Sequence, residues 1–494
     1  MKKMLMIIAV IVVGTGLLLL SGAKKTASAQ ESLPPDPSSL EVLGKLMFFD
    51  PALSINGAQS CASCHDPQTG FTGPDSLVNF TDAIYGGALA EHYGNRKPPT
   101  AAYASESPEL GYDEGKTTWF GGMFWDGRAT GWTLHDPLAE QAQGPFLNPL
   151  EQAIPNEQIL CVKVKQAEYS SLFTTVWGTG SLNCAKDSLG VYERIGRSIA
   201  AYEHSTEVNP FTSKFDLFWE NATLGGKDVT KIRCGTMSGG MGGGMDGGGM
   251  GAMCAPKDAD GTISPESWQS YRNLGLNNME LQGLAIFNDP TRANCAFCHS
   301  LAPGENGYPL FTDFSFHNLG IPKNPDNPFY EMPEAWNPDG ADWVDTGLGG
   351  YLMSAGFSPE VYNVEEGKFK TPSLRNVDLR PADDFVKAYT HNGYFKSLQE
   401  IIIFYAWRGL VMNGGLGMGG SGMDGCVNGG MGGGGMGGGG MVGGITPEMM
   451  CSPDLFPAPE VNRNLTPMNH FNIMSDTMKI ESFLKTLSDG YVAP

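Results

Sequence analysis

One pattern occurs twice in this chain, and it limits what the chain can fold into. The first copy runs Glu41-Val-Leu-Gly44, then Phe48-Phe-Asp50-Pro51, then Cys61-Ala-Ser-Cys64-His65. The second runs Glu280-Leu-Gln-Gly283, then Phe287-Asn-Asp289-Pro290, then Cys295-Ala-Phe-Cys298-His299. Each reads E-x-x-G-x-x-x-F-x-D-P followed by C-x-x-C-H. The last motif is the signature of covalent haem attachment: two thiols add to the haem vinyls and the adjacent histidine takes the iron. Half a zinc site would need further Cys or His at ligand spacing, and none follows. A thioredoxin-type pair needs no histidine and sits in a βαβ context. Two copies behind one leader make the chain a tandem protein with two covalent c-type haems.

Each leader reads as a helix. Ser38-Ser-Leu-Glu41 and Asn277-Asn-Met-Glu280 resemble capping boxes, with a short polar residue three before a glutamate. Leu40, Leu43, Met47 and Leu281, Leu284, Ala285 recur at helical spacing. Asp-Pro then ends each helix. The predicted fold is mostly α: two cytochrome c-like haem domains in tandem, interrupted by Gly/Met-rich loops. The first spans 38–215 and ends in a helix from Val191 to Tyr202. A linker at 216–276 carries one loop. The second domain spans 277–494, carries an insertion at 412–451, and closes with an amphipathic helix from Ser475 to Leu487.

The N-terminus reads as a signal peptide over 1–29, with a flexible lead-in over 30–37. Lys2 and Lys3 precede an apolar run from Met4 to Leu20, and Ala27-Ser-Ala29 offers a cleavage site. The run's length also fits an uncleaved anchor. Export to an oxidising compartment, the periplasm, suits the six cysteines outside the haem motifs: Cys161, Cys184, Cys234, Cys254, Cys426 and Cys451. Sequence does not fix their connectivity, and pairing of neighbours is favoured because each pair brackets one local loop. The formal net charge of −21 disfavours nucleic acid as a partner. An acidic surface would steer a basic redox protein, or serve solubility alone.

The Gly/Met runs are too rich in glycine to build a core or a stable helix. Insertions that merely tolerate their position are the plain reading. Met237, Met241, Met245, Met431, Met436 and Met441 also present soft thioether sulfur, suited to Cu(I) or to absorbing stray oxidant.

The repeat extends past the haem motifs. Lys97-Pro-Pro-Thr100 matches Lys370-Thr-Pro-Ser373, and Trp125-Asp-Gly127 matches His391-Asn-Gly393. Helix starts follow at Thr133-Leu134 and Ser397-Leu398, the latter with a capping box to Glu400. Counted from those caps, Gln141 stands where Tyr405 stands. A phenolate can ligate iron, and a glutamine amide is a poor ligand. One haem would then be closed by protein and the other open to a small molecule. Tyr405 also ends the apolar run Ile401–Phe404 and fits a core tyrosine; Gln141 and Glu151 also fit surface polarity.

On these motifs the chain resembles the bacterial di-haem cytochrome c peroxidase/MauG family. The matching stretches are Asp50-Pro-Ala-Leu-Ser54, Cys61 to Phe71, Phe124-Trp-Asp-Gly-Arg128, Gln141-x-x-x-Pro145 with Glu151, Phe311-Thr-Asp313, Phe316-His-Asn318 and Phe369 to Val377. The resemblance implies a peroxide site at the N-terminal haem, on Cys61, Cys64 and His65. It implies an electron-transfer haem on Cys295, Cys298 and His299. Gln141 and Glu151 fall on distal-pocket positions, Trp125 on the tryptophan between the haems, and Tyr405 on the sixth-ligand position. Methionine holds that last position in ordinary peroxidases and tyrosine in MauG-like enzymes. The implied partners are hydrogen peroxide and a small cytochrome c or cupredoxin donor, or a protein substrate.

Departures are specific. The family's inter-haem calcium uses an asparagine where this chain has Lys97, and a Thr-x-Pro segment that here is Val386-Lys-Ala388, which leaves calcium open. The switchable distal histidine has no counterpart; His92 lies nearby on a loop. MauG's tryptophan before its second motif is here Ala293-Asn294. The leading expectation is a di-haem cytochrome c peroxidase. The alternatives are MauG-like oxidation of aromatic residues on a partner protein and a non-enzymatic electron carrier.

Overall fold

Helix α1 (Pro37–Phe48) carries the first leader. It begins at Pro37, so Ser38 lies inside the helix rather than at its cap, as suits a proline at the first helical position. The structure is a computed structural model and describes residues 37–235, 254, 255, 257, 258, 260–412, 455–469, 471 and 473–493. The expected signal peptide, most of the lead-in and both Gly/Met runs lie outside the described residues, as do Cys426 and Cys451.

Leaving short helices unlabelled, the first repeat continues with α2 (Pro137–Leu147), α3 (Glu157–Gln166), α4 (Ser170–Trp177) and α5 (Ser188–His204). Then come α6 (Lys214–Leu224), the second leader α7 (Asn278–Asn288), α8 (Leu398–Met412) and α9 (Ile473–Leu484). Two small antiparallel ribbons accompany them: Gly111–Asp113 with Thr118–Phe120, and Phe316–His317 with Phe369–Lys370. The chain is mostly α-helical, as the hydrophobic periodicity predicts. No described helix is long and apolar enough to cross a membrane.

The leaders pack in the same way. In each, the motif glycine lets a second helix approach: a Cβ on Gly44 would meet the Ser198 carbonyl oxygen at 1.8 Å, and one on Gly283 would meet that of Lys479 at 2.0 Å. Four residues on, an aromatic pair locks the crossing. Phe48 meets Tyr202 at 5.4 Å and Phe287 meets Phe483 at 5.2 Å, both steeply inclined. Around the first pair, Leu43, Phe146, Phe173, Ile195 and Ile199 form one core. Around the second, Phe215, Phe218, Leu281, Leu284, Phe311 and Phe404 form another. Replacing either glycine by alanine would drive a methyl into backbone, which no rotamer change relieves.

The capping boxes at Asn277 and Ser397 form as read. Asn277 and Glu280 exchange side-chain and backbone bonds, and the Glu400 carboxylate accepts from the Ser397 N–H. The start expected at Thr133-Leu134 does not form. The Glu140 carboxylate accepts the backbone N–H groups of Gly131, Thr133 and Leu134, folding them into a turn, and Asp136 caps α2 instead. Gln141 is therefore five residues past its cap while Tyr405 is eight past Ser397, and the count that equated them fails. Disulfides join Cys161 to Cys184 and Cys234 to Cys254, the neighbour pairing expected. Each contributes about 3 kcal/mol through loop closure.

Candidate active site: two cavities on one anchor

Each C-x-x-C-H forms a short 3₁₀ turn, Cys61–Ser63 and Cys295–Phe297, that brings the histidine N–H back to the first cysteine's carbonyl at 3.0 and 2.9 Å. The His65 Nδ1–H donates to the Phe71 carbonyl at 3.0 Å, and the His299 Nδ1–H to the Phe311 carbonyl at 2.9 Å. Since a carbonyl only accepts, the proton sits on Nδ1 and Nε2 keeps its lone pair. Both phenylalanines hold positive φ, 56° and 55°, a sparsely populated conformation for a bulky residue that aims each carbonyl at its ring. Burial pushes His65 down to about 4 and lowers His299, so both rings are neutral and able to ligate. The four motif cysteines are unpaired thiols; burial pushes Cys64 and Cys295 up to about 12. Two thiols and a neutral, oriented imidazole beside a cavity are what covalently attached haem requires.

A cavity of about 280 Å³ opens on His65 and another of about 270 Å³ on His299. Gln141, Glu151 and Trp125 line the first, together with Cys61 and Cys64. The Glu151 carboxyl is raised by burial, partly offset by the Arg128 charge and by a 2.9 Å hydrogen bond from Asn148 Nδ2. Tyr405 lines the second cavity with Cys295, Cys298 and His317. Its phenol is raised by burial and by the two motif cysteines, so only a strong cation at its oxygen would favour the phenolate. Trp125 lines both cavities. Its indole Nε1–H donates to the Lys97 carbonyl at 2.8 Å, and its own carbonyl accepts from the Lys370 N–H at 2.9 Å. One residue of each matched Lys-x-Pro segment thus holds it. His92 donates from Nδ1 to the Pro149 carbonyl at 2.8 Å and does not line the first cavity.

Sequence reasoning missed Glu203. It is 3 % exposed, lines the His65 cavity, and its Oε2 has no hydrogen-bond partner. Burial, with Asp136 adding repulsion, pushes it up to about 8. The signal was in the repeat: if Ser198 matches Lys479, then Glu203 matches Leu484, which lines the second cavity. Also missed was a buried cluster between the cavities, in which Arg96 binds Asp126 at 2.6 Å and Asp345 at 2.7 Å.

A paired-thiol anchor repeated on two cytochrome-like cores defines a di-haem c-type cytochrome. The family model described as "Di-haem cytochrome c peroxidase" matches residues 38–223. The chain is 30% identical to the methylamine utilization protein MauG of Paracoccus denitrificans, over 77% of each. It is 29% identical to the cytochrome c551 peroxidase of Nitrosomonas europaea, over 75% of this chain and 74% of that one. Among solved structures, the diheme peroxidase BthA of Burkholderia thailandensis superposes with a TM-score of 0.60 at 25% identity, over 92% of this chain and 87% of that one. The chain belongs to the di-haem cytochrome c peroxidase/MauG family of oxidoreductases, which implies two c-type haems.

Proposed function

We propose that this chain is a periplasmic di-haem peroxidase that reduces hydrogen peroxide to water, taking two electrons from a small redox protein and two protons. The observation that carries the reading is the asymmetry of the cavities. Gln141, Glu151 and the unpartnered Glu203 line the one on His65, while Tyr405 lines the one on His299, whose acids Asp345 and Glu460 are engaged by Arg96 and by the Asp345 N–H. His65 would hold one haem, whose iron would meet peroxide, and His299 would hold the other, which would supply a second one-electron centre.

The chain's residues do the rest. Glu151 moves a proton from the near peroxide oxygen to the far one. Burial raises its carboxyl toward the working pH, where a proton carrier is most effective, and Asn148 Nδ2 holds Oε1 at 2.9 Å. Gln141 orients peroxide and water through its amide. Tyr405 would hold the second haem through its phenolate oxygen, and such a ligand would keep peroxide out and lower the potential relative to methionine. Trp125, held from both repeats, is the bridge for electrons.

The second reading, MauG-like oxidation of aromatic residues on a partner protein, is favoured by Tyr405 and by the 30% identity to MauG. Stopped-flow turnover of peroxide with a reduced small cytochrome separates the two. Sustained oxidation of the cytochrome supports the peroxidase. Peroxide consumption that leaves the cytochrome reduced and slowly modifies the protein itself favours the MauG-like reading.

A further inference from the structure

Two lysines with almost no access to water line the His299 cavity, and Lys97 lines the His65 cavity as well. Lys97 is 7 % exposed and Lys387 is 4 %. The Lys387 Nζ donates to three main-chain carbonyls, of Thr69 at 2.8 Å, Asn376 at 3.0 Å and Leu379 at 2.9 Å. Three acceptors use the three donors of an ammonium, whereas a neutral amine has two N–H bonds, so the cage selects the charged form. Backbone carbonyls converging on one point are also how proteins ligate calcium. Here nitrogen fills that point.

Lys97 stands beside it. Its Nζ donates to Thr72 Oγ1 and to the Pro98 carbonyl, both at 2.9 Å. Its backbone N–H donates to the His391 carbonyl at 2.8 Å, and its carbonyl takes the Trp125 indole. Lys97 and Lys387 line the same cavity, and the Lys97 charge acts to lower the Lys387 amine. Burial lowers both amines, and on Lys387 the three carbonyls oppose that by taking one N–H each from the charged form.

These are the two places where the chain departs from the family's calcium ligands: Lys97 replaces the asparagine, and Lys387 is the middle of the segment that replaces Thr-x-Pro. A calcium ion needs six to eight oxygen ligands, commonly with carboxylates among them. The carboxylates near this stretch are already engaged, Asp126 and Asp345 by Arg96 and Asp378, which acts on Lys387, by Arg380. Among the described residues no group of three or more His, Cys, Asp or Glu is placed to hold a metal ion. The family's calcium does not fit.

We propose that the Lys387 ammonium, with Lys97 beside it, replaces the inter-haem calcium ion, so that the wall between the cavities is held without metal. The proposal rests on family membership and not on the choice between peroxidase and MauG-like chemistry. Its test is made on the full-length, haem-loaded protein after dialysis against EGTA. Elemental analysis is expected to find far less than one calcium per chain. The ferric and ferrous visible spectra and the Tm are expected to be the same with EGTA and with added calcium chloride. One retained calcium per chain, or a spectrum that changes with EGTA and recovers with calcium, overturns the proposal. Lys387→Met adds a second test, because it empties the cage at nearly constant side-chain length. Its Tm is expected to fall, and a Tm equal to that of the unchanged protein overturns the proposal. If that variant fails to fold, the metal and EGTA measurements on the unchanged protein still decide.

Discussion

In the first repeat Glu203 follows Tyr202 on α5; in the second, Leu484 follows Phe483 on α9. Everything just before that step is shared. Gly44 and Gly283 admit the crossing helix, the aromatic pairs lie 5.4 and 5.2 Å apart, and Phe71 and Phe311 orient the two histidines through the same strained φ. Beyond it the cavities part. One collects Gln141, Glu151 and Glu203, and the other collects Tyr405 and Leu484. Anchoring a haem demands close packing at a glycine and an oriented imidazole, so both copies keep those features. The facing side carries no such demand and was free to diverge.

The largest expected effect removes the difference at the second haem. Tyr405→Phe deletes the proposed sixth ligand and keeps the ring. The haem on His299 is expected to pass from low-spin to high-spin, with a raised potential, as read by electron paramagnetic resonance and redox titration. A low-spin signal unchanged in that variant breaks the comparison.

The next change acts at the first haem alone. Glu151→Gln keeps the shape and the Asn148 contact but cannot carry the proton. Reaction with peroxide, followed by stopped flow, is expected to slow by about 10²-fold, with both haems in place. In the unchanged protein the basic form of Glu151 is lost as pH falls through its raised value, so the rate is expected to fall with it. The variant should lose this dependence. A wild-type rate would take Glu151 out of the mechanism.

The smallest effect copies the second repeat into the first. Glu203→Leu reproduces Leu484 and removes a buried carboxyl with an unpartnered oxygen. Glu203 sits at about 8 in the folded chain against an ordinary 4.5, so the folded state binds the extra proton between those values. Stability is then present in full below about 4.5 and declines as pH rises toward about 8. Thermal unfolding of Glu203→Leu is expected to lack that decline and to show about 1–3 kcal/mol more stability at alkaline pH. An identical pH profile in both proteins would mean that the bound haem satisfies Glu203.

The sequence exposed the shared half of this design most clearly. Glycine, phenylalanine, Asp-Pro and the haem motif recur at fixed spacing because each is a steric or covalent requirement. The capping boxes at Asn277 and Ser397 were readable because both partners lie within one turn. The start of α2 was not, since the competing acceptor, Glu140, reaches back from seven residues beyond Thr133 and captures the N–H groups that a cap there would have used. The count that points to Gln141 starts from the wrong cap, but the family resemblance points to it independently, and it lines the first cavity. Glu203 was missed because a lone glutamate on an amphipathic helix reads as solvated. Only the helix crossing, fixed by Gly44 against Ser198, turns it inward. Lys387 was hidden for the same reason: its three acceptors come from residues 69, 376 and 379, which only the fold assembles.

The proposed mechanism requires one haem open to small ligands and the other closed by Tyr405. Titration of the ferric, haem-loaded protein with cyanide, followed by the Soret shift and by electron paramagnetic resonance, tests it most directly. One equivalent is expected to bind per chain, at the haem on His65, and two equivalents in Tyr405→Phe. Two equivalents in the unchanged protein, or none, would contradict it.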